Sequence, residues 1–158
     1  MTSRLMRLSG ITLLGLLLSV AVLAQTDYSK AVASYTVYLG VVPAEIVQGH
    51  ALPHPEATMH GGAKAAANSH HVMVSIIDRR SGKQLAGAKV SARVGELGMS
   101  ANTKTLEPMV IAATTTYGNF FSMKDGGKFQ IDVEFKAPND TRSLTTTFYF
   151  THPGADHK

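Results

Sequence analysis

The chain reads as all-β, an immunoglobulin-like β-sandwich of about seven strands that follows an N-terminal signal peptide. Two segments alternate strictly. Ala88, Val90, Ala92 and Val94 interleave with Lys89, Ser91 and Arg93, and Phe129, Ile131, Val133 and Phe135 interleave with Gln130, Asp132 and Glu134. Successive strand side chains point to opposite faces, so this period of two marks sheets with one dry face. Turn-forming clusters punctuate the chain at Arg80-Ser81-Gly82, Asp125-Gly126-Gly127 and Pro138-Asn139-Asp140. Helical periodicity is almost absent beyond residue 25, and short strands at turn-sized intervals predict a two-layer sandwich.

The remaining strands follow in order. Residues 34–47, SYTVYLGVVPAEIV, predict a strand interrupted at Gly40 and Pro43, which suits an edge or a bulge. Residues 48–69 are rich in Gly, Ala, His and Pro, lack periodic apolar positions, and predict a long loop. His70–Asp78 predicts the next strand, and Lys104–Ala112 with Thr114–Met123 a further pair. The last strand is expected at Leu144–Thr151, with a loose tail over residues 153–158. The expected core comprises Val90, Val94, Phe129, Ile131, Val133, Phe135, Phe148 and Phe150. One domain over residues 25–152 accommodates all of these elements.

Residues 1–24 have the three parts of a secretory signal. Arg4 and Arg7 form a positive start, Ile11–Leu23 an apolar stretch, and Val22-Leu23-Ala24 a small-residue cleavage site. The competing reading is a membrane anchor. A spanning helix needs about 20 apolar residues, however, and this run is shorter and broken by Ser19. Cleavage after Ala24 removes two arginines and leaves 13 basic residues against 11 acidic ones. That balance, with no basic run interleaved with aromatics, argues against a nucleic-acid partner. Cysteine is absent, so an exported domain of this size must be held by its core rather than by disulfides. The expected location is the periplasm.

Five of the seven histidines fall between His50 and His71. Together they place His50, His54, Met59, His60, His70, His71 and Met73 in one short stretch. Imidazole and thioether are good copper ligands, whereas magnesium and calcium want oxygen. Met59 and His60 lie beside the flexible Gly61-Gly62 pair, and His71 and Met73 share one strand face. Met59, His60 and His71 are therefore the first expected ligands, with His50, His54, His70 and Met73 as alternates. The competing reading is an inert solvated linker, with Met73 as core filler. Met99, Met109 and Met123 read as structural, and His152 as a strand-end residue able to approach a neighbouring strand end.

Catalytic motifs are missing. The sequence has no G-x-S-x-G, no H-E-x-x-H, no phosphate-binding glycine loop and no cysteine nucleophile. The stretch HHVMVSIIDRRSGKQLAGAKVSARV resembles the start of YtkA-like and FixH-like periplasmic domains. That resemblance implies an immunoglobulin-like sandwich associated with copper handling or oxidase assembly. A more distant likeness is to CopC-type copper carriers, which use a histidine at the mature N-terminus, where this chain has Gln25. Two functions follow as expectations. The first is a non-enzymatic periplasmic protein that binds or delivers a copper ion. The second is an interaction module, without metal, that docks another envelope protein.

Overall fold

A computed structural model describes residues 27–48, 68–111 and 113–154. The expected signal peptide, most of the expected loop and the end of the tail lie outside these residues. Eight strands and one short helix follow in the order β1 (Ser29–Val32), β2 (Tyr35–Pro43), α1 (Ala44–Gln48), β3 (Ser69–Asp78), β4 (Lys89–Glu96), β5 (Ala101–Ile111), β6 (Thr114–Ser122), β7 (Lys128–Lys136) and β8 (Leu144–Thr151). All pairings are antiparallel, and the spatial order is β1-β2-β3-β6-β5-β4-β7-β8.

The all-β class is as expected, with one strand more. The four-residue β1 was not anticipated. The segment expected as one interrupted strand divides into β2 and α1 at Pro43. Gln48 and Ser69, the ends of the expected loop, belong to α1 and β3.

The two layers are halves of one sheet, joined by β5. Residues 101–106 of β5 pair with β4, and residues 107–111 pair with β6. Pro108 follows immediately after this change of partner. A proline removes a ladder donor, and a strand tolerates that loss best where pairing is interrupted. Side chains bridge the gap that opens between β5 and β6. Lys104 Nζ donates to the Phe120 carbonyl at 2.7 Å, and Asn119 Nδ2 donates to the Thr105 carbonyl at 2.8 Å. At the far edges β1 approaches β8, with Lys30 Nζ 5.8 Å from the centre of the Phe148 ring. The sheet is thereby nearly closed.

Every residue expected in the core is buried there. Val37 and Leu39 of β2, Val72, Val74 and Ile76 of β3, and Ala92, Leu106, Tyr117, Phe121 and Met123 join them. Tyr117 has a polar tip that needs partners inside this core. Its hydroxyl donates to the Leu85 carbonyl at 2.6 Å and accepts from the Ala88 amide at 3.0 Å. The β3–β4 crossover is thus tied to the core. Its first turn is closed by Asp78, whose Oδ1 accepts from the Arg80 and Ser81 amides, each at 2.9 Å, and from the Ser81 hydroxyl at 3.1 Å.

Two expected outcomes test this frame. Val133 is fully buried between Ala92 and Thr146 of its neighbouring strands. Val133→Asp should cost about 3–5 kcal/mol in denaturant unfolding, because it buries a charge with no partner. The second concerns acid. The Ser81 amide, followed by the Arg80 amide and the Ser81 hydroxyl, holds the Asp78 carboxyl below its ordinary value of 3.8. The unfolded chain therefore binds the proton first, so the stabilisation is present above 3.8 and is lost as pH falls through the lower folded value. Unfolding midpoints of wild type and Asp78→Asn should differ at neutral pH and converge in acid.

Candidate metal centre

Strand β3 carries His70 and His71 side by side, and alternation sends them to opposite faces. His70 shares the face of Val72, Val74 and Ile76 and points into one end of the core. His71 shares the other face with Met73. Both histidines are almost fully buried, at 4 % and 1 % exposure.

The outer face of this layer is built from four strands in register. Opposite His71 lie Val42 of β2 and Phe120 of β6. Opposite Met73 lie Gly40 and Gly118, and Gly118 is in turn opposite Glu107 of β5. One step further along, Thr116 pairs with Met109. His71 lies against the Phe120 ring, with centroids 4.8 Å apart and the planes inclined at 39°.

Gly118 makes this arrangement possible. A β-carbon at that position would lie 2.7 Å from His71 Nε2 and 2.7 Å from the Met109 Cε. The imidazole and the thioether arm therefore converge on the space a side chain would fill, within twice that distance of each other. On the other flank, a β-carbon at Gly40 would meet Met73 Cε at 3.4 Å. The Thr116 hydroxyl, cross-strand from Met109, is buried without a hydrogen-bond partner. Buried polar atoms are nearly always partnered, and an exception points to a group that belongs nearby. One imidazole and one thioether arm thus meet at a glycine cradle, with a second thioether on the far flank of the same face, and these soft donors are of the kind that suits copper.

The inner histidine meets a second one. His70 Nε2 and His152 Nε2 are 2.7 Å apart, with the rings edge-to-face and their centroids 4.5 Å apart. His152 lies just beyond β8, its amide bonded to the Gly127 carbonyl at 2.9 Å. Its Nδ1 is 2.6 Å from the Pro153 carbonyl and 3.7 Å from Asp125 Oδ1. Burial, and then the neighbouring His152 ring, hold the His70 imidazole below the usual 6.5; the Asn68 carbonyl, Glu45 and Asp125 oppose this. The Asn68 carbonyl is close enough to the ring to exert that effect and accepts from the Met123 amide at 2.9 Å, and His70 Nδ1 is buried without a hydrogen-bond partner.

Of the residues expected from sequence, the structure describes His70, His71 and Met73. It confirms that His71 and Met73 share a face, and it directs His70 away from them. His50, His54, Met59 and His60 lie outside the described residues. Met123 is core, as expected of a structural methionine, whereas Met99 is exposed. Met109 was read as structural, yet it stands beside His71 on the outer face. Its position depends on the β5–β6 register, and alternation within β5 alone does not reveal that register. Among the described residues no group of three His, Cys, Asp or Glu side chains is placed to hold a metal ion, so on the outer face the thioethers would have to join His71.

The sequence matches no family model and no curated protein. Solved structures share the fold. A copper-bound variant of Campylobacter jejuni P19 is 12% identical, with a TM-score of 0.63, covering 82% of this chain and 96% of that one. A DUF4426 family protein from Pseudomonas aeruginosa is 13% identical, with a TM-score of 0.62 and coverage of 84% and 98%. FetP of uropathogenic Escherichia coli strain F11, recombinantly expressed in the periplasm of E. coli, is 14% identical, with a TM-score of 0.61 and coverage of 82% and 95%. The chain therefore has the fold found in P19 and FetP. The YtkA-like and FixH-like resemblance finds no counterpart among these matches.

Proposed function

We propose that this is an exported, periplasmic copper-binding protein that holds the ion on the outer face of the β2–β3–β6–β5 layer. The observation that carries the reading is the convergence of His71 Nε2 and the Met109 side chain on the space above Gly118. Met73 supplies a further thioether on the same face. Such a set favours Cu(I), because thioether sulfur is soft and imidazole accepts either oxidation state. Copper-bound structures of P19 and FetP with this fold support the same reading.

The chain's own residues have distinct tasks. His71 is oriented by the rigid strand and by Phe120, while the unbranched Met109 arm adapts to the ion. His50, His54, Met59 and His60 precede β3 in the chain, and the proposal gives them the part of exchange ligands during capture and release. Binding and delivery by ligand substitution require no covalent step, so the protein is read as a carrier rather than an enzyme.

The Gly118→Ala variant tests this directly. Alanine is no worse than glycine in a strand, but its β-carbon would occupy the space between His71 and Met109. Cu(I) affinity, measured by chelator competition on the untagged protein, should fall at least tenfold, and because the new β-carbon crowds the buried His71 ring the unfolding midpoint should fall as well, so the affinity is compared on protein shown to be folded. Met109→Leu should weaken Cu(I) similarly and spare imidazole-dependent Cu(II) binding. Unchanged Cu(I) affinity in both variants would remove this site.

A further inference from the structure

We infer that His70 and His152 form a second metal site, a two-nitrogen clamp for a monovalent soft cation such as Cu(I), at the end of the core. This site shares no ligand with the outer-face centre and stands on separate geometry. The ring tautomers carry the argument. A carbonyl can only accept, so His152 Nδ1, 2.6 Å from the Pro153 carbonyl, holds its proton there. In the neutral ring His152 Nε2 is then a bare lone pair, and it is aimed at His70 Nε2 from 2.7 Å.

Without a cation, His70 must place its own proton on Nε2 to meet that lone pair. Its Nδ1 is then a buried acceptor with nothing to accept, as the structure shows. A cation between the two Nε2 atoms resolves the conflict. The His70 proton moves to Nδ1, where the Asn68 carbonyl, which already accepts from the Met123 amide at 2.9 Å, is the neighbouring acceptor. Both rings then have Nδ1–H on a backbone carbonyl and Nε2 free to coordinate, the usual outer-shell pattern of metal-bound histidine. No proton is released, since each imidazole stays neutral.

Two converging imidazoles, joined among the described residues by no third His, Cys, Asp or Glu ligand, suit a linear, two-coordinate ion rather than zinc, which wants four ligands. Metal–imidazole bonds of about 2 Å would require the nitrogens to open to about 4 Å. His152 lies beyond the last ladder pair of β8, with its amide still bonded to the Gly127 carbonyl, so the opening falls to the two rings rather than to the backbone. Asp125, 3.7 Å from His152 Nδ1, and Glu45 at the start of α1 add negative charge that favours a cation.

A second proton would satisfy the same lone pairs, giving a charged imidazolium–imidazole pair, and the experiment must separate the two. Nitrogen-15 NMR of the untagged mature protein, titrated with Ag(I) as a redox-silent Cu(I) analogue, reads each ring's tautomer. Before addition, His70 should be protonated on Nε2 and His152 on Nδ1. At saturation both should be protonated on Nδ1, with Nε2 shifted by the metal. The His152→Gln variant should lose the change at His70, and Gly118→Ala should keep it. A pair already sharing a charged proton, or His70 retaining its Nε2–H at saturation, overturns the clamp. Shifts at His71 with none at His70 would overturn it while leaving the outer-face centre standing. Shifts at His70 and His152 alone would do the reverse.

Discussion

The period of two along β3 is the constraint on which both candidate sites depend. His70 and His71 are chemically identical neighbours, and only alternation sends one into the core and the other outward. A slip of one residue in register would exchange them and would also turn Val72, Val74 and Ile76 out of the core. The hydrophobic face of β3 therefore determines where its imidazoles point. Pairing along the whole of β2, from Tyr35–Asp78 to Pro43–His70, holds the same register from the other side. The geometry of the candidate ligands is here a by-product of core packing, and rigid on that account.

A second dependence concerns β5. This strand leaves β6 to join β4, which folds one sheet into two layers, and it does so next to the outer-face site. Met109 lies on the part still paired with β6, three residues beyond Leu106, the last partner of β4. The strand that joins the layers thus brings a thioether opposite Thr116 and beside His71. Gly118 completes the arrangement by what it lacks. Glycine in a strand interior is unfavourable and contributes no packing, so its presence at this point is informative. Any larger residue would occupy the volume into which His71 and Met109 converge.

Much of the fold was legible because alternation records which face of a strand is dry. Phe129, Ile131, Val133 and Phe135 declare themselves core without reference to any partner strand. The pairing order is a different kind of information. Nothing within β5 says that its first half adjoins Val90 and its second half adjoins Thr116, so the continuous sheet was not readable. The place of Met109 beside His71 was hidden for that reason: methionine serves equally as core filler or ligand, and its cross-strand neighbours come from the register rather than from β5 itself. Met123, of the same type, is indeed core. His152 was recognisable as a strand-end residue, but its meeting with His70 required the end of β8 and the start of β3 to lie at one end of the sandwich. The four-residue β1 was invisible because Ser29–Val32 is too short to establish a period.

Likeness of fold and identity of site are separate questions here, since 12–14% identity to P19 and FetP establishes the former alone. The copper reading rests on this chain's own donors, and their chemistry accords with export. Outside the cytoplasm thiols are readily oxidised to disulfides, which removes them as metal ligands. A chain with no cysteine and with five methionines beyond residue 24 avoids that loss while keeping soft sulfur available. Thioether oxidation is still open to it, but Met109 is only 7% exposed, and burial protects the sulfur. Imidazole meets the remaining need, as a neutral donor that binds copper in either oxidation state and that a strand can aim. The combination of a disulfide-free β core, buried methionine and strand-borne histidine is thus physically coherent for holding a soft ion in an oxidising compartment.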